Sequence, residues 1–286
     1  MGLICIIRGV NRQTVLDRME SSKSTITLTF GDVAENHTGM ERIGSRLESG
    51  LSVADVKAIH RYILEQYGLD DDPDSSGIEL IDLFKELNVV DYQGEGAVLL
   101  IITDGVQLLL GDGAADDLLN EQTALPYDTK AWLKGRVVNK KARYNLCFSD
   151  EDSPPNYQEK KGTVIGYSQV PVLNKLRLKI IEIVKNSLNT DIDLKVESNY
   201  YYDTEKCYIG WHGDTERRVV IGCRLGAEYP LSFRWYHHKN PASSTMTVHL
   251  QHGDIYIMSE KVTGHDWKRP SIYTLRHSAG TVPLKK

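Results

Sequence analysis

The second half of the chain constrains the fold most. From Leu194 onward almost every apolar run is short, rich in β-branched or aromatic residues and bounded by Gly, Asn or Pro: 194–203, 208–212, 218–225, 231–236, 245–250, 254–258 and 271–276. Many short segments at such spacing predict a sandwich or jelly roll and not a βαβ sheet. Just before them Val172, Leu176, Ile180, Ile183 and Val184 step by three and four, which predicts an amphipathic helix of about fifteen residues backing a sheet.

Residues 1–118 read as a small α/β unit. The segments 5–7 and 25–30, the latter T-I-T-L-T-F, alternate as strands do, and Gly31-Asp32 ends the second. Ser52 and Asp55 form a capping signature ahead of Val53, Val56, Ile59, Ile63 and Tyr67, so a helix is expected over 53–67 with Gly68 closing it. The acidic run 70–76 is expected as an exposed loop, 78–87 as a short helix, and 97–102 with 106–110 as a hairpin about Asp104-Gly105. The small, acidic stretch 111–120 marks the expected boundary between a unit over 1–118 and a second over 119–286. His37 reads as a polar loop residue and His60 as a surface or core histidine, since no second ligand type stands at a workable spacing.

Hydrophobic content of 41% and charged content of 26% are ordinary for a globular protein. With a formal net charge of −5 the chain has no global attraction for nucleic acid or for an anionic membrane. A local patch exists, however: Lys130, Lys134, Arg136, Lys140, Lys141 and Arg143 fall within 129–143 with no acid among them. This segment reads as a basic hairpin, either simply solvated or in contact with a phosphate backbone. The opening residues are apolar only briefly before Arg8, too short for a signal sequence or a membrane span, and read as a first strand. Cys5, Cys147, Cys207 and Cys223 are widely spaced without a C-x-x-C, which favours reduced thiols in an intracellular protein, cytoplasmic or nuclear.

Within the strand-rich half, 199–214 (N-Y-Y-Y-D-T-E-K-C-Y-I-G-W-H-G-D) places His212 and Asp214 two residues apart. On a strand that spacing puts both on one face. A second His from elsewhere would complete a two-His, one-carboxylate triad, which leaves three positions of a non-haem Fe(II) open. An isolated H-x-D is common in a chain of this length, so its surroundings decide. Two histidines downstream are candidates, His265 and His277, and Arg269, Arg276, Lys285 and Lys286 stand in the closing segment as cations for an acidic co-substrate, Arg being the better fork. His237, His238, His249 and His252 read as a loop pair, a strand residue and a turn residue. No Gly-rich phosphate loop, serine elbow or zinc-peptidase helix occurs.

Taken in order, these motifs resemble the AlkB-like branch of the Fe(II)- and 2-oxoglutarate-dependent dioxygenases, over about 131–280. The resemblance rests on R-Y-N-L-C-F-S-D from Arg143, Asn199-x-Tyr201, Trp211-His212-Gly213-Asp214, H-G-D-I-Y-I-M from His252, Tyr273-Thr-Leu-Arg276 and Ala279-Gly280. It implies an α+β protein: a double-stranded β-helix (jelly roll) catalytic domain with supporting helices, behind the small α/β N-terminal unit. It implies His212 and Asp214 as iron ligands, and Asn199 and Tyr201 as hydrogen-bond partners of 2-oxoglutarate. The implied chemistry, with O2, is hydroxylation or oxidative demethylation, most naturally of a nucleobase in DNA or RNA that is single-stranded or flipped out. A protein side chain or small metabolite is the alternative substrate, and a non-catalytic jelly-roll interaction module the alternative class.

The closing segment departs from the family. AlkB-like enzymes end with a His-bearing strand, a loop and a strand with two arginines, whereas one short strand, S-I-Y-T-L-R-H-S-A-G, follows here. With His265 as third ligand, Arg276 binds the 2-oxoglutarate carboxylate. With His277, favoured because similar viral and algal sequences carry R-H-A-A-G at this point, that role passes to Lys285 or Lys286.

Overall fold

The alternation in T-I-T-L-T-F decides where the chain begins its core. In the computed structural model, which describes residues 23–86, 94 and 96–281, this stretch is β1 (Thr25–Gly31). Ile26, Leu28 and Phe30 leave by one face into an apolar cluster, and Thr25, Thr27 and Thr29 leave by the other. The segment expected at 5–7 and the residues Lys285 and Lys286 lie outside the described residues.

In chain order the remaining strands begin with β2 (Val33–Glu35), β3 (Arg42–Gly44), β4 (Ile78–Asp82) and β5 (Val98–Ile102). Then come β6 (Lys130–Leu133), β7 (Arg136–Asn139), β8 (Tyr144–Ser149), β9 (Val164–Gly166), β10 (Lys195–Tyr201) and β11 (Ile209–His212). The last are β12 (Val220–Gly226), β13 (Tyr229–His237), β14 (Asn240–Pro241), β15 (Met246–Leu250), β16 (Ile255–Met258) and β17 (Thr274–Ala279). The helices are α1 (Val53–Tyr67), α2 (Pro73–Ser76), α3 (Leu83–Glu86), α4 (Gly105–Leu110), α5 (Ala114–Thr123), α6 (Pro171–Leu188) and α7 (Glu260–Thr263).

One eight-stranded sheet runs β4-β5-β16-β12-β1-β10-β8-β9 and one five-stranded sheet runs β11-β17-β13-β14, with β15 also paired to β13. The architecture is mixed α/β. Helices α1 and α6 cover the outer face of the large sheet through Val56, Ile59 and Ile63 and through Leu173, Leu176 and Ile180. The inner face meets the smaller sheet through Val220, Tyr256 and Met258 on one side and Leu231, Phe233, Trp235 and Leu275 on the other. Tyr256 lies so close over Gly222 that a Cβ there would stand 1.9 Å from the ring, so only glycine admits it. Among the described residues no helix is long and apolar enough to cross a membrane.

Helix α1 forms where its pattern predicts. Ser52 Oγ accepts from the Asp55 N–H at 3.1 Å, the Asp55 carboxylate accepts from the Ser52 N–H at 2.7 Å, and Gly68 closes the helix at φ +62°. The basic stretch forms the expected ribbon, β6 with β7, about Lys134 and Gly135, both at positive φ.

The first third also corrects three expectations. Residues 78–82 are strand β4, and only the single turn α3 follows. No hairpin forms about Asp104-Gly105: Asp104 takes a left-handed φ of 50° and opens α4, because its N–H is held by the Asp254 carboxylate at 3.1 Å and the Val106 N–H by the Gly253 carbonyl at 2.9 Å. Those tertiary bonds outweigh the local turn preference. Finally, the boundary placed after 118 falls inside α5, and β1, β4 and β5 are bonded into the sheet that holds β10, β12 and β16, so 1–118 is not a unit apart. Within the run 70–76, Asp72 caps the exposed single turn α2.

Candidate metal centre

Strands β11 and β17 are neighbours, and His212 stands directly opposite His277, ring centroids 4.4 Å apart. The strand ends at His212, so a turn and not the pleat returns Asp214 to the same side. Its N–H donates to the Thr263 carbonyl at 2.9 Å. Between the two ligand residues Gly213 presses on Gly264, where a Cβ would stand 2.1 Å from the carbonyl oxygen; the middle residue of this H-x-D must be glycine. Asp214 Oδ1 lies 3.7 Å from Nε2 of His212 and 3.7 Å from Nε2 of His277.

The ligand atoms of the three residues all fall within 4.8 Å of one another, and among the described residues they are the group of this kind. A first-row divalent ion holds N and O at about 2.1 Å, so two of its ligands stand at most about 4.2 Å apart. Both carboxylate–imidazole spacings fall inside that limit, somewhat wider than the about 3.0 Å of two ligands at right angles. The Nδ1 of His212 is 2.8 Å from the Gly210 carbonyl, which assigns the proton there and leaves Nε2 as the free lone pair. Burial, and then the neighbouring His212, hold His277 well below the usual imidazole range, so it stands in the neutral form that ligates metal. His265 is not in the group: its Nδ1 faces the Glu260 carbonyl at 3.1 Å.

The triad forms one side of a cavity of about 290 Å³ between the two sheets. Asn199 and Tyr201 line it as well. Asn199 Oδ1 accepts from Arg143 Nε at 2.5 Å and from Asn145 Nδ2 at 2.7 Å, and its Nδ2 donates to Glu197 at 2.9 Å. Tyr201 packs on Tyr229 with centroids 4.7 Å apart, and burial raises its phenol.

Arg276 does not reach this cavity. It precedes His277 on β17 and therefore leaves by the opposite face, where its guanidinium stacks on Tyr236 at 4.0 Å and Trp267 at 5.2 Å. The arginines that do line it are Arg143, Arg217 and Arg224, the last two missed in the sequence; Lys268 lines it too. Arg217 is neutralised by Glu197 at 2.6 Å and Glu216 at 3.3 Å. Burial drives the Glu197 carboxyl up, but Arg217 and then Arg143 outweigh it and hold it below the usual carboxylate range. An arginine inside the apolar strand V-I-G-C-R-L is the signal by which Arg224 was findable.

The basic segment divides. Lys140 is drawn in, its Nζ donating to Asn36 Oδ1 at 2.7 Å and Asn145 Oδ1 at 2.9 Å, while Lys130, Lys134, Arg136 and Lys141 stay exposed. Of the histidines set aside, His60 is buried and faces Asp71 at 3.6 Å, but His37 lines the cavity and was underrated.

No family model matches the chain. Over 263 residues it is 42% identical to an uncharacterized protein of Acanthamoeba polyphaga mimivirus, a match that covers 92% of this chain and 98% of that protein. Coverage that broad takes in the N-terminal third together with the strands of the metal centre, in keeping with the single sheet they share. The chain belongs to the same family as this mimivirus protein.

Proposed function

We propose that this protein is an Fe(II)- and 2-oxoglutarate-dependent dioxygenase that hydroxylates or oxidatively demethylates an organic substrate, a nucleobase of DNA or RNA being the substrate favoured by the exposed basic ribbon. The observation that carries the reading is the convergence of His212, Asp214 and His277 on one side of a cavity lined by Asn199 and Tyr201. The matching fold reading is a double-stranded β-helix (jelly roll), with β10, β1, β12 and β16 facing β11, β17, β13 and β15. In it β1, lying between β10 and β12, takes the place of a strand after β17.

Two imidazoles and one carboxylate leave three positions of a six-coordinate ion free, and the iron when bound supplies the activation of O2 coupled to oxidation of 2-oxoglutarate to succinate and CO2. The protein's part is placement. Gly210 and Gly213 fix the direction of His212 and the return of Asp214, burial keeps His277 neutral, and Val220, Tyr256 and Met258 give the cavity a water-excluding wall. One oxygen atom enters the substrate and one the succinate; an N-methyl group so hydroxylated leaves as formaldehyde and frees the amine.

The test is succinate release, followed by NMR, on adding Fe(II), 2-oxoglutarate and O2 to the wild type, His212→Ala, His277→Ala and His265→Ala. The wild type and His265→Ala release succinate, while His212→Ala and His277→Ala fall by at least about a hundredfold, the scale of losing a ligand with its supporting contacts. A wild type that releases none overturns the reading.

A further inference from the structure

The cavity contains a buried cation that forms no direct ion pair with a carboxylate among the described residues. Arg224 on β12 is 1% exposed. One Nη donates to Thr27 Oγ1 on β1, the Tyr229 ring lies 5.1 Å from its Cζ, and its Nε is buried without a hydrogen-bond partner. Asp254, a carboxylate that feels the charge of Arg224, accepts instead from the Gln251 N–H at 2.7 Å and the Asp104 N–H at 3.1 Å. An unpaired buried guanidinium is costly, and proteins keep such groups chiefly where a ligand completes them.

Its position says which end of a ligand it meets. Thr27 pairs with Arg224 on one side and Asn199 on the other, so the three stand in one row across β12, β1 and β10, facing the cavity that holds the metal group. The other cations are spent or peripheral. Arg217 is neutralised by two glutamates, Arg143 gives its Nε to Asn199, and Lys268 is exposed on a loop. With one Nη on Thr27, the Nε edge of Arg224 is uncommitted, and that edge matches a carboxylate fork-to-fork.

We infer that Arg224, steadied by Thr27, is the seat for the far carboxylate of a small dicarboxylate whose other end reaches His212, Asp214 and His277. The identity of that dicarboxylate as 2-oxoglutarate rests on the reading above. The inference moves the anchor from the closing strand, where Arg276 turns away, to a central strand of the large sheet, beside a hydroxyl that β1 brings in from the opposite end of the chain.

The experiment is calorimetric titration of the Mn(II)-loaded protein with 2-oxoglutarate and with 2-oxobutyrate, which lacks the far carboxylate; Mn(II) binding is followed separately by electron paramagnetic resonance. The wild type binds 2-oxoglutarate at least tenfold more tightly than 2-oxobutyrate. In Arg224→Met that preference is lost, 2-oxobutyrate and Mn(II) bind as before, and the metal-free melting temperature is unchanged or raised because an unpaired buried charge has gone. Should Arg224→Met fail to fold, Arg224→Lys carries the test, keeping the charge without the fork and losing about tenfold. A preference that survives in the Arg224 variants, or one absent from a wild type that binds Mn(II), overturns this assignment alone. A wild type that binds no Mn(II) overturns the metal reading beneath it.

Discussion

Gly213 holds the His212, Asp214 and His277 group together from a position that carries no chemistry. With the Gly264 carbonyl oxygen 2.1 Å from where its Cβ would be, Gly213→Ala must part the β11 turn from the loop after α7 and carry Asp214 with it. Mn(II) affinity, titrated by electron paramagnetic resonance, falls at least about tenfold while circular dichroism shows the sheets intact, since a ligand set off its direction loses about as much as one whose supporting hydrogen bond is removed. Lys140 makes a second residue-scale prediction. Burial pushes its ammonium down from an ordinary 10.5 to about 8, against the opposing pull of Asp128. The unfolded chain therefore binds this proton over the interval from about 8 to 10.5 in which the folded one has released it, and stability gains from this group as pH rises through that window. A ¹³C-methylated Lys140 resonance that titrates near 10.5 would remove the claim. At this scale the His212–Asp214 pair was legible from its motif, although a turn after β11, and not strand parity, returns Asp214 to the side of His212. Parity does exclude Arg276, which stands next to His277 on β17 and so leaves by the other face. Arg224 was marked in the sequence only as a charge inside an apolar strand, and Arg217, just ahead of that strand, carried no mark; the partner of each, or the want of one, shows only once the strands are paired.

β1 shows what an element's own sequence leaves open. T-I-T-L-T-F is a strand by its alternation, yet its neighbours are Lys195–Tyr201 and Val220–Gly226, far along the chain, and nothing local selects them. Hence the separate N-terminal unit in the sequence reading, and a central strand of the shared sheet in the structure. The Asp104-Gly105 pair misled in the same way, a sound local turn signal overridden by bonds to Gly253 and Asp254. The consequence is measurable. Leu28 is fully buried against the helices, so Leu28→Ala costs about 3 kcal/mol, the usual price of a large-to-small change in a core. Because the sheet is shared, denaturant unfolding of this variant followed by circular dichroism and by tryptophan fluorescence gives one coincident transition at lower midpoint. Two transitions, with only the first displaced, would restore the separate unit.

Across the whole molecule the charges oppose one another in scale. The net charge of −5 repels a polyanion at long range, but at about 0.15 M salt charges beyond roughly 8 Å are screened, so a strand of nucleic acid at the β6–β7 ribbon meets mainly Lys130, Lys134, Arg136 and Lys141. If each neutralises one phosphate of a single strand, log K falls against log salt with a slope of about −2.8, four contacts at about −0.7 each. Lys134→Gln with Arg136→Gln then brings the slope to about −1.4 and weakens binding alike for all base sequences, since phosphate contacts position without specifying. Mn(II) binding stays unchanged, because these residues stand on the ribbon and not on the cavity wall. Fluorescence anisotropy of a labelled oligonucleotide over a range of salt reads the slope. A flat line would take nucleic acid away as substrate while leaving the metal centre untouched, and the same cavity would then serve a small metabolite or a protein side chain, for which the acidic body of the molecule is no barrier.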